Sequence, residues 1–357
     1  MKADGKLCHD LLTKSTTQKL GFDESKDFAT WKEELREKFI ELTGLREIEA
    51  NASKDPRFEI EEEVQKDGYK QIRCSFESEV GSSVFFYVLI PDGLKEDEKR
   101  PMVITLQGHS TGAHNSVGIE LYDEDHEYQE TRGKFAVQAV NEGYIAVAIE
   151  NRGMGERAAT SIVDENGKRL RWIQYSEMER CYYEAMTAVL MGRTILGERM
   201  FDTKRTIDMM LEHFGKHIDQ KKIVITGNSG GGTMSYYAPC YDERITLAVP
   251  SCAFCTFPES ILHIYHCSCN YIPHAFKWFD MQDLSALIAP RRLVTVNGEV
   301  DFIFKVEGVK RGFETIKKIY EKAGAPENCR SLIHDSGHYW RVDYIWPAIK
   351  EELAKMD

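Results

Sequence analysis

The chain has 357 residues, 42% of them hydrophobic, and a formal net charge of −12. It is long enough for one large core with decorations, and its interspersed basic residues argue against nucleic acid or an anionic membrane as partner. The first twenty residues hold no apolar run of signal-peptide length and no window approaches a membrane span, so the expectation is a cytoplasmic protein whose nine cysteines are reduced.

Taken in chain order, Phe28, Trp31, Leu35, Phe39 and Leu42 form the apolar stripe of an early helix. Residues 58–64, 69–76 and 83–90 read as antiparallel strands, with Asp67-Gly68 as a hairpin turn. The parallel part of a sheet is expected to begin at Met102. Residues 135–141 read as a helix and 144–150 as the strand after it, ending in the loop ENRGMGER. Residues 179–214 carry two helical stretches that lead into a β-branched run from Lys221. A helix follows Ser229, and Pro239 is expected to shorten or kink it. Residues 293–296 read as a buried strand, 306–323 as an amphipathic helix stopped by Gly324 and Pro326, and 331–333 as a short last strand. The expected division is residues 1–90, an N-terminal helix and antiparallel strands packed on the main domain, and residues 91–357, the main α/β domain, with an insertion around 252–285.

The chemistry concentrates where the β-branched run enters Gly227-Asn228-Ser229-Gly230-Gly231. A G-x-S-x-G sequence on a sharp strand-to-helix turn exposes a serine nucleophile, and the helix start behind it offers backbone N–H groups to an oxyanion. Downstream, Asp301 follows one expected strand and His338 the next. In this arrangement His338 would take the serine proton and Asp301 would hold the imidazole tautomer. The oxyanion hole would be the N–H of Gly230 and, from the loop after the strand at Met102, the backbone of His109, with Ser110 as the fallback. A phosphate loop is the competing reading of the glycines, but no G-K-[ST] follows them. Competing with His338 and Asp301 are His334, Glu299 and Asp335, read as a packed strand histidine, a neighbouring loop acid and a solvated carboxylate.

The stretch from Cys252 to Cys269 holds Cys252, Cys255, His263, His266, Cys267 and Cys269; Cys252/Cys255 with His263/His266 have spacing that could suit tetrahedral zinc, but the surrounding residues are apolar and lack turn glycines, so packing is the reading adopted and no metal or cofactor is expected. The aromatics of 254–279 suggest a lid, with Phe257 and Trp278 as substrate contacts.

The stretches MGRTILGERMFDTKRTIDMML, TGNSGGGT, DERITLAVPSCAF, HCSCNYIPH, DLSALIAPRRLVTVNGEVDFIF and YEKAGAPENCRSLIHDSGHYW resemble the acetyl xylan esterase-like branch of the α/β-hydrolases, related to dienelactone hydrolases. They lie between Met191 and Trp340, less than half of the chain, with LQGHSTG and ENRGMGER earlier. The resemblance implies an α/β-hydrolase fold: a mostly parallel central sheet flanked by helices, with N-terminal antiparallel strands and a lid-like insertion. It also implies a carboxylic ester hydrolase with Ser229, Asp301 and His338 as triad, and a homo-oligomer. Gln107 stands where such enzymes often carry histidine, and Phe302 where proline often follows the acid. The function expected is a metal-independent serine esterase removing acetyl or other small acyl groups, from a small-molecule or oligosaccharide ester. The rivals are a prolyl oligopeptidase-type peptidase, a dienelactone hydrolase-like lactonase and a non-catalytic binding protein on the same scaffold.

Overall fold

In the computed structural model, which describes residues 4–158 and 181–356, a short helix α1, Leu7–Ser15, precedes the expected amphipathic one, α2, Phe28–Thr43. Asp27 caps α2 by accepting from the Thr30 N–H, and Gly44 ends it in the left-handed region at φ 74°. Trp31, Leu35 and Phe39, spaced by four residues, are the buried face. Each buried side chain of this size contributes roughly 1.5–3 kcal/mol. After the short α3, Leu45–Ala50, the chain forms the antiparallel strands β1, Glu59–Lys66, β2, Tyr69–Glu79, and β3, Ser82–Pro91. Lys66 pairs with Tyr69, which leaves Asp67-Gly68 as the expected two-residue turn, with Gly68 at φ 83°.

The remaining strands are β4, Arg100–Leu106, β5, Ile145–Ile149, β6, Ile218–Asn228, β7, Leu247–Ser251, β8, Arg292–Gly298, and β9, Cys329–His334. All nine described strands share one sheet in the order β1-β2-β3-β5-β4-β6-β7-β8-β9. β3 pairs antiparallel with β5, so the N-terminal strands extend the parallel sheet, and a boundary at residue 90 cuts through one continuous sheet. This is the α/β-hydrolase fold.

Strand periodicity explains why the sheet is buried on both faces. Met102, Ile104 and Leu106 of β4, with Ile223 and Ile225 of β6, enter one core cluster, whereas Val103 and Val224 enter the other. Helices fill both sides: α4, Asp123–Arg132, α5, Phe135–Asn141, α6, Tyr182–Leu190, α7, Ile195–Phe214, α8, Gly230–Tyr241, the short α9, Ser285–Ile288, α10, Val306–Lys322, and α11, Val342–Ala354. The two helical stretches expected over 179–214 are α6 and α7; residues 179 and 180 lie outside the described residues.

Pro239 does not shorten its helix. α8 runs on to Tyr241, because the Asp242 N–H still reaches the Ala238 carbonyl at 2.9 Å and Arg291 Nη2 donates to the Pro239 carbonyl at 2.7 Å.

The loop ENRGMGER is tied to α7 by buried charge. Asp202 accepts from Arg152 Nε and Nη2 at 2.8 and 2.9 Å, from Arg157 Nη1 at 2.8 Å and from Ser78 Oγ at 2.6 Å. Burial opposes ionisation of this carboxyl, but the two guanidiniums outweigh it and hold Asp202 well below the usual carboxylate range. Glu79 joins the network through Arg152 at 2.6 Å and Arg193 at 2.7 Å.

Candidate active site

Ser229 sits between β6 and α8 at φ 54°, ψ −118°, a conformation that side chains rarely adopt. Two features force it. Its N–H donates to the Ser251 carbonyl at 2.9 Å, and its own carbonyl accepts from Thr233 at 2.7 Å, so the turn is fixed on both sides. The glycines around it are there for space: a Cβ on Gly227 would lie 2.2 Å from the Leu106 carbonyl oxygen, and one on Gly231 only 1.9 Å from it. The half-buried serine is therefore presented at the C-terminal end of the parallel strands.

The acid and the histidine come together. Asp301, on the loop after β8, is 4% exposed, and its Oδ2 lies 2.8 Å from Nδ1 of His338 on the loop after β9. Its Oδ1 accepts the N–H groups of Ile303 and Phe304 at 2.8 and 3.2 Å, which fixes the carboxylate. Nε2 of His338 is buried and, among the described residues, without a hydrogen-bond partner. An imidazole oriented by a carboxylate, with its other nitrogen unpaired, is equipped to accept a hydroxyl proton. The sulfur of Cys252 is packed beside this pair. Burial pushes its thiol up to about 12, so it stays protonated.

The competing groups are engaged elsewhere. His334 is fully buried with Nδ1 at 2.9 Å from Ser336 Oγ, and Asp335 is exposed and paired with Arg341 at 2.6 Å. Glu299 is exposed.

The loop after β4 lies against the nucleophile. A Cβ on Gly108 would meet the Ser229 Cβ at 3.2 Å, and one on Gly230 would meet the His109 Nδ1 at 3.1 Å. The Gly230 N–H opens the first turn of α8, where no intrahelical acceptor exists. Sequence reasoning missed the anchor of this loop, Glu150 at the end of β5. Its carboxylate accepts from the Ala113 N–H at 2.9 Å and from Gln107 Nε2 at 3.4 Å, which gives Gln107 a partner of its own. Burial pushes the Glu150 carboxyl up to about 8, against the opposing pull of the Ala113 N–H.

Phe257 and Trp278, expected as substrate contacts, are placed otherwise. Phe257 is 5% exposed in the main core with its ring edge against Phe276. Trp278 stands by α2 between the ammonium groups of Lys19 and Lys38, at 4.5 and 4.1 Å from its ring centroid. Among the ring contacts of the described residues, neither ring meets Ser229, Asp301 or His338, although Phe276, the ring partner of Phe257, lines an adjacent groove. This open groove of about 860 Å³ lies between α1, α6 and residues 262–277; its lining includes His266 but not Ser229, Asp301 or His338. The His266 ring meets Phe304 edge-on, and Phe304 is stacked on His338 at 5.8 Å. Burial pulls the His266 imidazole down to about 4, which keeps it neutral.

The cysteines and histidines do not group as their spacing suggested. Cys255 donates to the Lys305 carbonyl at 3.5 Å and Cys252 packs against Asp301 and His338, away from any zinc-like set with His263 and His266 among the described residues. Cys267 and Cys269 instead meet His109 and Cys181, a set that no local spacing reveals.

Known proteins resemble this one along most of its length. The chain is 26% identical over 247 residues to the "Putative hydrolase YtaP" of Bacillus subtilis (strain 168), covering 67% of this chain and 74% of that protein. The crystal structure of a "putative acetyl xylan esterase" from Bacteroides fragilis NCTC 9343 superposes with a TM-score of 0.76 at 19% identity, covering 99% of this chain and 95% of the other. A glucuronoyl esterase from Solibacter usitatus superposes with a TM-score of 0.63 at 14% identity, covering 96% and 98%. A family model matches residues 7–348, nearly the whole described fold, and on that match the chain belongs to the Abhydrolase family.

Proposed function

We propose that this protein is a serine carboxylic ester hydrolase that removes acetyl or other small acyl groups, from carbohydrate esters, through an acyl-enzyme. The observation that carries the reading is the His338–Asp301 pair at 2.8 Å, set on loops at the same C-terminal end of the parallel strands as the strained Ser229; among the described residues His338 Nε2 makes no hydrogen bond, to Ser229 or otherwise. In the first half-reaction Ser229 Oγ attacks the acyl carbon while His338 Nε2 takes its proton, and the same proton then passes to the leaving alcohol. The N–H groups of Gly230 and His109 receive the oxyanion. Water repeats the sequence and releases the carboxylate. Asp301 holds the imidazole by its Nδ1 and stabilises the imidazolium.

The small-acyl, carbohydrate-linked substrate is supported by the likeness to the "putative acetyl xylan esterase" of Bacteroides fragilis and by a groove beside His266 lined with Tyr182, Tyr265 and Tyr271, rings suited to stacking on sugar faces. Kinetics on p-nitrophenyl esters of increasing acyl length, with acetylated xylo-oligosaccharides and a p-nitroanilide alongside, test the reading. Acetyl esters should be turned over with kcat/KM at least about 100-fold above octanoyl esters and the anilide. Equal or faster anilide cleavage contradicts it.

A further inference from the structure

His109, Cys181, Cys267 and Cys269 come from three separate parts of the chain, the loop after β4, the start of α6 and the insertion, yet their donor atoms all lie within 4.8 Å of one another. His109 Nε2 is 3.0, 3.6 and 3.3 Å from the sulfurs of Cys267, Cys181 and Cys269. Cys267 Sγ is 2.9 Å from that of Cys181 and 3.2 Å from that of Cys269. A tetrahedral ion bound at about 2.3 Å to sulfur and about 2.0 Å to imidazole needs its donors roughly 3.5–3.8 Å apart. Five of the six donor–donor distances therefore have to change by less than about 1 Å to accept it, and the sixth, Cys181 to Cys269, is within 4.8 Å.

Charge favours the same conclusion. Three S–H groups and one imidazole offer each other only weak hydrogen bonds, yet Arg199 of α7, 2% exposed, brings a full positive charge to the cluster. Its guanidinium donates to the Arg152 carbonyl at 3.0 and 2.5 Å and hydrogen-bonds the sulfur of Cys269. A buried cation of this kind calls for an anion. Three thiolates, one neutral imidazole and a divalent ion sum to −1, which Arg199 neutralises. Asn270 completes the surroundings: its Nδ2 donates to Cys269 Sγ at 3.5 Å while its Oδ1 accepts from Thr233 of α8 at 2.9 Å.

We propose that His109, Cys181, Cys267 and Cys269 form a tetrahedral site for one divalent thiophilic ion of the zinc class. This replaces the sequence expectation of no metal. Four protein ligands leave no open position, so the ion is structural and takes no part in the ester chemistry. Bound there, it ties the oxyanion-loop residue His109 to the insertion and to α6 beside Gly230.

Elemental analysis of the full chain, purified under reducing conditions without chelator, tests the site. About one zinc-class ion per chain is expected, and it should be lost in the Cys267→Ser/Cys269→Ser double variant but kept in Cys255→Ser. Should the double variant not fold, exchange of the native chain into Co²⁺ supplies the second readout, with thiolate-to-cobalt charge-transfer bands and the intense visible bands of a tetrahedral ion expected. Three results overturn the proposal: metal below about 0.2 per chain with no cobalt uptake, stoichiometric metal that survives in a folded double variant, or a Cys181–Cys267 disulfide in the peptide map of the protein as purified. None of these readouts depends on activity, so they stand or fall apart from the serine mechanism.

Discussion

Ser229→Ala lowers kcat for p-nitrophenyl acetate by about 10⁴- to 10⁶-fold, with the thermal midpoint within about 2 °C of the parent. The size follows from the loss of the only group that forms the acyl bond. Residual turnover then comes from the oxyanion donors acting on bound water. The fold survives because alanine keeps the Cβ that already occupies the φ 54° turn, and the two backbone hydrogen bonds that fix it, to Ser251 and from Thr233, do not involve the hydroxyl. His338→Ala produces a loss of similar order, and the double variant adds little, since serine and imidazole act as one unit. Steady-state kinetics on the three variants check this. Additive losses, or undiminished hydrolysis without the hydroxyl, contradict the assigned roles.

Asp202→Ala destabilises the protein by about 3–5 kcal/mol, read as a fall in thermal midpoint of about 5–10 °C. The reason is the partners left behind. Arg152 and Arg157 lose the carboxylate between them, and their side chains are only 13% and 6% exposed. The pH dependence has a definite sign: because the folded carboxyl is held below its ordinary value, this stabilisation is present above about pH 4 and is lost as pH falls further. A midpoint unchanged in the variant at pH 7 counts against the network as a stabilising element.

Much of the fold was legible because local chemistry and tertiary context agree. The Asp67-Gly68 turn, the strand into Ser229 and the helix from Val306 each carry their own signal, and the structure places all three as expected. The Asp301–His338 pair was legible for a related reason: strand, acid, helix, strand and histidine follow one another in the chain, so order alone brings the two loops to one sheet edge. The antiparallel strands were readable as strands, but that β3 would pair with β5 was not, because pairing across the β4 position depends on the whole sheet order. That α8 runs two residues past Pro239 was not legible, because the carbonyl end of the helix is held by Arg291 from a distant loop. The burial of Phe257 was not legible, because an aromatic cluster in a segment says nothing about which side of it faces the core. The Cys-His set was hidden for the plainest reason: 72 residues separate His109 from Cys181 and 86 separate Cys181 from Cys267, so no spacing rule connects them. The one local trace was the C-x-C of the HCSCN stretch, which a search for paired C-x-x-C and H-x-x-H ligands passes over.

The most direct test is to trap the acyl-enzyme. Acid quenching of the reaction with an activated acetyl ester, followed by peptide mass spectrometry, is predicted to find one acetyl group on Ser229 and none in His338→Ala. Full hydrolytic activity with the adduct on another residue, or with none in a quench faster than turnover, would contradict the mechanism.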